Sequence, residues 1–158
     1  MPSFLLSDDV AEEVAAAFTQ HAHMIRERLP NVEVNHTCGT SVSGLLTTGD
    51  VDLHVRTDKQ SFEMARDTLC ELYEPFHRDV WHSEGAFFFA SGSQPRVEIA
   101  LTVIGSLDDL HHGEAWQRIA ADPELIDQHN SLKRAHEGGS VDDYNAAKRE
   151  FFYGNFRL

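Results

Sequence analysis

Basic side chains are scarce in this chain. Thirteen Lys and Arg stand against 26 Asp and Glu, a net charge of -13 over 158 residues, and no stretch gathers the cations into a stripe. Nucleic-acid binding draws most of its affinity from cations that neutralise phosphates. The composition therefore excludes general nucleic-acid binding. Cysteine is scarcer still, with only Cys38 and Cys70, in unlike settings. Two such thiols supply neither a metal-binding spacing nor a disulfide framework and agree with a reducing compartment; both read as buried free thiols. No run approaches the roughly 18–20 apolar residues of a membrane span. The segment Met1–Asp9 lacks the basic region and long apolar stretch of a secretory leader. A cytoplasmic location without membrane association is the expectation. No repeat, low-complexity run or linker interrupts the sequence, so a single domain over residues 1–158 is expected. That length buries about two-thirds of the unfolded surface.

What is present is concentrated in Cys38–Val55. A Gly39-Thr40-Ser41 turn precedes a short apolar segment, and Asp50-Val51-Asp52 follows eleven residues after Gly39. The turn predicts a brief helix around Val42 to Leu46, whose N-terminal N–H groups and hydroxyls form an anion site. The plainer alternative is that Thr40 or Ser41 only caps that helix. Asp50-Val51-Asp52-Leu53-His54-Val55 alternates as a strand, with Val51, Leu53 and Val55 toward the core and Asp50, Asp52 and His54 opposite. Two carboxylates two residues apart share a face at about 6–7 Å. A sheet has no packing reason for that pair, whereas a hard divalent cation takes oxygen ligands.

Around this stretch the pattern alternates between periods. Ser7 is expected to cap a helix carrying Val10, Val14, Phe18, His21, Ile25 and Leu29, closed by Pro30. His21 and His23 face different ways on such a helix and read as packing or surface residues. Val32–His36 reads as a strand. Thr57 with Gln60 signals a cap for a helix over Phe62–Tyr73. Arg78–Ala90 suits strands, and Arg96–Val103 is a strong strand with Val97, Ile99, Leu101 and Val103 inward. Glu98 then lies on the other face with Arg96, and on a neighbouring strand it sits about 5 Å from the Asp pair. A solvated surface glutamate is the alternative. Leu107–Ala121 reads as a helix with His111-His112 on its surface. Asp122-Pro123 opens another, stopped by Gly138-Gly139, and Ser140 caps the last.

The resulting order predicts an α+β fold: a mixed sheet with helices on one face, acids on the other, and a helical C-terminal region. Three close carboxylates repel, which raises at least one pKa, and Mg²⁺ relieves the repulsion. One or two Mg²⁺, with Mn²⁺ as a substitute, would be held by Asp50, Asp52 and Glu98. Glu98 serves alternatively as base toward an acceptor hydroxyl, with Gly39, Thr40 and Ser41 holding terminal phosphates.

The Gly-x-x-x-x-Gly-Leu run Gly39–Leu45, leading to Asp-x-Asp and then a strand acid, resembles the nucleotidyltransferase fold of DNA polymerase beta-like enzymes. More narrowly, the chain resembles the GrpB family. Gly39-Thr40-Ser41-Val42-Ser43-Gly44-Leu45 is similar to that family's Gly-Ser-Thr-x-Val-Pro-Gly-Leu segment. Asp122-Pro123-Glu124-Leu125, Ser131-Leu132-Lys133-Arg134 and Tyr144–Phe151 are similar to its C-terminal motif. Ser43 replaces the usual proline, and Thr48-Gly49 replaces Lys-Pro. Many GrpB relatives carry an apolar residue in place of Asp50. They also carry a His-containing strand motif near Glu98. This chain instead keeps all three acids, as nucleotidyltransferases at large do.

The resemblance implies a Mg-dependent transfer of a nucleoside monophosphate from a nucleoside triphosphate to an unidentified small-molecule or protein acceptor. Lys133, Tyr144 and Lys148 fall in its C-terminal motif. Each lysine is either a point charge for the triphosphate or a solvated helix residue paired with an acid, and Arg96 has the same two readings. The competing functions are an inactive nucleotide- or metal-binding module of the same fold, and an interaction protein whose acidic surface docks a basic partner.

Overall fold

The computed structural model describes all of residues 1–158. The strands are Leu5–Leu6 (β1), Glu33–Thr37 (β2), Leu46–Thr47 (β3), Val51–Thr57 (β4), Glu74–Phe76 (β5), Gly85–Phe89 (β6) and Val97–Val103 (β7). The helices are Ala11–Arg28 (α1), Phe62–Leu72 (α2), Leu107–His112 (α3), Glu114–Ala121 (α4), Pro123–His136 (α5) and Val141–Phe156 (α6). Five strands form one mixed sheet in the order β2-β4-β7-β6-β5, and β1 pairs with β3 apart from it. Only β4 and β7 run parallel. No helix is long and apolar enough to cross a membrane.

Period-2 alternation determines the two faces of the sheet. Val51, Leu53 and Val55 on β4, with Val97, Ile99, Leu101 and Val103 on β7, are buried against Val14, Ala22 and Ile25 of α1 and Phe62, Ala65 and Leu69 of α2. Each Val, Leu, Ile or Phe among them contributes about 1.5–3 kcal/mol when removed from water. The opposite face carries Asp52, His54, Glu98 and Thr102. A second core forms beyond it, where Val42 and Leu45 pack with Trp116, Ile119, Leu125, Phe151 and Phe152. The C-terminal helices are therefore held by their own apolar cluster.

Several local expectations give way to different chemistry. Ser7 opens a 3-10 turn over Ser7–Val10, and its hydroxyl donates to the Val42 carbonyl at 2.6 Å instead of capping. No helix follows Gly39-Thr40-Ser41, which is itself a single 3-10 turn with Val42 already extended. The Asp8 carboxylate accepts from Ser43 Oγ and Gly44 N–H, fixing the loop where a proline was expected. For α2, Asp58 rather than Thr57 accepts from the Ser61 N–H at 2.8 Å. The segment read as strand from Arg78 begins with a 3-10 turn, and the edge strand lies earlier at Glu74–Phe76. Pro75 is tolerated there because an edge strand pairs on one side only. Gly113 divides the helix expected over Leu107–Ala121 in two. Asp122 and Ser140 cap α5 and α6 as expected. Cys38 is half-buried and Cys70 exposed, so neither is the fully buried thiol anticipated.

Candidate functional site: an acid-and-lysine cavity

The parallel pairing of β4 with β7 sets Asp52 directly opposite Glu98. Asp50 lies one residue before β4 rather than within it. Its carboxylate accepts from Thr48 Oγ1 at 3.3 Å, and its carbonyl accepts from Thr40 Oγ1 at 2.7 Å. Thr40 has one proton and gives it to Asp50, so the 2.9 Å contact with His36 Nε2 has the imidazole as donor. His36 and Thr40 thus position the main chain at Asp50.

Asp50, Asp52 and Glu98 line one cavity of about 510 Å³. The other wall comes from the C-terminal helices through His129, Lys133, Tyr144, Lys148 and Arg149. The electrostatics follow from this arrangement. Desolvation, then Glu98 and Asp50, raise the Asp52 carboxyl well above the usual carboxylate range. Asp50 is raised by desolvation and by Glu98. Lys133 moves the other way, brought down to about 8 by burial and by Lys148, with Cys38, Asp52 and Asp50 opposing. Burial lowers Lys148, which lies 4.6 Å from the Tyr144 ring centre. Desolvation is the first cause of all four shifts, and the facing acids and lysines offset it only in part.

Lys133 is 5% exposed and donates to the Leu46 carbonyl. It is not the solvated helix residue of the plainer reading. Beside it, Asn130 accepts from Leu46 N–H at 2.8 Å and donates to the Gly44 carbonyl at 2.9 Å, so α5 grips the loop that leads into Asp50. Gly39 lines the cavity, and a Cβ there would stand 2.9 Å from Thr47 Oγ1 and 3.5 Å from Lys133 Nζ. A bare backbone is what allows this approach. Thr40 and Ser41 do not line the cavity. Their hydroxyls are committed to main-chain carbonyls, Thr40 to Asp50 and Ser41 to Cys38 at 2.6 Å. Cys38 does line it, with its thiol pushed well up by burial and by Asp52.

Arg96 pairs with Glu98 at 2.7 Å and lies over the rings of Phe76 and Phe89. No three His, Cys, Asp or Glu side chains are drawn close enough together to grip an ion as they stand. The donor set nonetheless suits a hard cation: three carboxylates on one wall, two of them strained toward protonation by their neighbours.

Several residues not expected at the site also line the cavity. His111 and His112, expected on the surface, are half-buried; His111 lines this cavity, and burial with His112 lowers it to about 4. His129 and Trp116 are buried and line it too, and His77, in the left-handed region at φ 49°, stands at its edge. For His129 the available signal was a polar residue within the apolar face of α5. His77 gave none.

The comparisons agree with this architecture. Among curated proteins none matches the chain in sequence. A solved structure of the conserved protein GrpB from Enterococcus faecalis superposes with a TM-score of 0.65 at 17% identity, covering 89% of this chain and 93% of that one. A structure of Cid1 poly(U) polymerase with magnesium and 3'-dATP gives a TM-score of 0.55 at 14% identity, covering 95% of this chain and 51% of that one. Cid1 in complex with the UTP analogue UMPNPP gives 0.54 at 13%, covering 95% and 50%. The chain thus spans about half of Cid1 and shares its nucleotidyltransferase-like fold. The family model described as GrpB protein matches residues 8–156, and the chain belongs to the GrpB family.

Proposed function

We propose that the chain is a nucleotidyltransferase, moving a nucleoside monophosphate from a nucleoside triphosphate to an acceptor. The observation that carries this reading is the cavity of about 510 Å³ in which Asp50, Asp52 and Glu98 face Lys133 and Lys148. The lysines neutralise phosphate oxygens, Gly39 allows close approach of the backbone, and the Tyr144 ring gives a base an apolar surface. Asp50, Asp52 and Glu98 would hold Mg²⁺. When bound, Mg²⁺ supplies counter-charge to the phosphates and to the leaving pyrophosphate. Glu98 serves in addition as the acceptor of the attacking hydroxyl's proton. The two free cysteines suit a cytoplasmic setting, and the excess of acids argues against general nucleic-acid binding.

The Arg96–Glu98 ion pair favours a second reading, a cavity that binds nucleotide without turnover. Two measurements separate these readings. Titration calorimetry with ATP, with and without Mg²⁺, is expected to show metal-dependent binding that weakens in Asp50→Ala/Asp52→Ala. Equal affinity in variant and parent would remove the acids from the site. Pyrophosphate release in an acceptor screen, abolished by Asp52→Ala, identifies the enzyme; binding with no release under any acceptor identifies the binder.

A further inference from the structure

Asp52 and Glu98 line a second hollow as well as the first. Strand register dictates where it lies. On the acid-bearing face, Asp52, Glu98 and Phe89 form one cross-strand row, and His54, Ala100, Phe87 and Phe76 form the next. Ala100 is the small member of its row, and above it toward the β6–β5 edge lies a cavity of about 280 Å³. Phe76, Val80 and Phe87 supply its walls, and no lysine or arginine lines it. The residues common to this hollow and the larger cavity are Asp52, Glu98 and His77. His77 sits against the Phe76 ring with centroids 3.8 Å apart.

The two hollows therefore meet at the carboxylates but differ in chemistry. One has lysines for a polyanion. The other is mostly apolar, has no lysine or arginine in its lining, and suits a compact uncharged ring.

We propose that the smaller hollow receives the acceptor, a small molecule presenting a hydroxyl on an aromatic or aliphatic ring. This rests on the nucleotidyl-transfer reading and gives it a substrate class. The acceptor oxygen forms a bond to the α-phosphorus, and the bond from that phosphorus to the pyrophosphate oxygen breaks with its electron pair leaving on pyrophosphate. The hydroxyl proton passes to Glu98. A nucleic-acid 3' end is a poor fit, since no lysine or arginine lines the hollow to meet its flanking phosphates, and Arg96, over the Phe76 ring, is already paired with Glu98. A nucleobase is the competing occupant, but beyond the two carboxylates at its mouth the hollow offers only His77 and His112 to meet a base's polar edge.

The test uses the full chain with para-fluorophenol as probe, followed by fluorine NMR line width. Broadening is expected, and it persists when a non-hydrolysable ATP analogue and Mg²⁺ saturate the larger cavity. Val80 is 52% exposed, so Val80→Asp leaves the core intact. It is expected to weaken the probe by about tenfold, because a charge enters an apolar wall. Ala100→Leu, which fills the floor, is expected to abolish broadening. Absence of broadening in the parent, equal broadening in Val80→Asp, or displacement of the probe by adenosine overturns the proposal; displacement assigns the hollow to the base. ATP affinity unchanged by Lys148→Ala would sink the phosphate assignment of the larger cavity instead, whatever the fluorine signal does.

Discussion

Lys133 Nζ donates to the main-chain carbonyl of Leu46, tying α5 to the loop that delivers Asp50. One side chain thereby serves both packing and charge. Replacing it with methionine keeps the apolar stem but leaves the Leu46 carbonyl unpaired, a loss of about 1–3 kcal/mol. Lys133→Met is expected to lower the urea midpoint and to weaken ATP binding together. Lys148, half-buried beside Tyr144, makes no such tie. Lys148→Ala is expected to weaken ATP binding with the urea midpoint unchanged, and a matching fall in midpoint would show that both lysines are structural.

Asp52 is held near Glu98 and Asp50 at a cost. Desolvation and two like charges penalise its ionised form. Asp52→Asn removes that repulsion while keeping the shape. The apo variant is expected to melt higher than the parent while losing pyrophosphate release, the usual opposition of stability and site chemistry. A lower melting temperature would contradict the repulsion.

Gly39 offers a stricter geometric test. A methyl group there meets Thr47 Oγ1 at 2.9 Å and Thr47 Cβ at 3.1 Å. Thr47 is buried and paired in β3, so it has little room to yield. Gly39→Ala is expected to cost about 1–3 kcal/mol through overpacking, read as a shift in the denaturation midpoint.

Asp52 and Glu98 were legible as acids on one face because alternation assigns a face without knowing the fold; their pairing was not, since it depends on β4 and β7 being parallel neighbours in this register. The Gly39–Ser41 turn was legible as a turn but not as to its length. What ends it is the extended Val42, whose carbonyl accepts from Ser7, a contact 35 residues away in sequence. His129 stood out as a polar residue on an apolar helix face, but neither it nor Trp116 could be assigned to the cavity, since their place depends on how α4, α5 and α6 pack on one another. The same holds for Thr40, whose hydroxyl is claimed by the carbonyl of Asp50.

Asp109 connects α3 to the sheet through two hydrogen bonds from Arg56, at 2.6 and 2.8 Å. Burial works to raise its carboxyl, but Arg56, the Gly105 N–H and the Thr102 hydroxyl outweigh burial and hold it at about 2. Its folded pKa lies below the ordinary 3.8, so at low pH the unfolded chain binds the extra proton. Stability from this group is complete above 3.8 and is lost as pH falls toward 2, a contribution on the order of 2 kcal/mol. Asp109→Asn is expected to lose that limb of the pH–stability curve, measured by urea unfolding at each pH.

His129 governs a higher pH window. It is 1% exposed, its Nδ1 has no hydrogen-bond partner, and its ring meets Trp116 and Phe151 edge-on at 5.4 and 5.2 Å. Burial, Lys133 and Lys148 lower its pKa from 6.5 to about 3. A lowered histidine stays neutral in the fold while the unfolded chain takes up a proton below 6.5, so stability declines as pH falls from 6.5 toward 3. By about pH 5 the loss reaches roughly 2 kcal/mol. His129→Phe fits the same aromatic cluster, removes the unmet hydrogen-bonding atom, and has nothing to protonate. The variant is expected to match or exceed the parent at neutral pH and to lose about 2 kcal/mol less than the parent by pH 5, the remaining decline belonging to the other buried histidines, His54 and His111 among them. A decline parallel to the parent's would mean that other histidines, His54 foremost, carry the acid sensitivity.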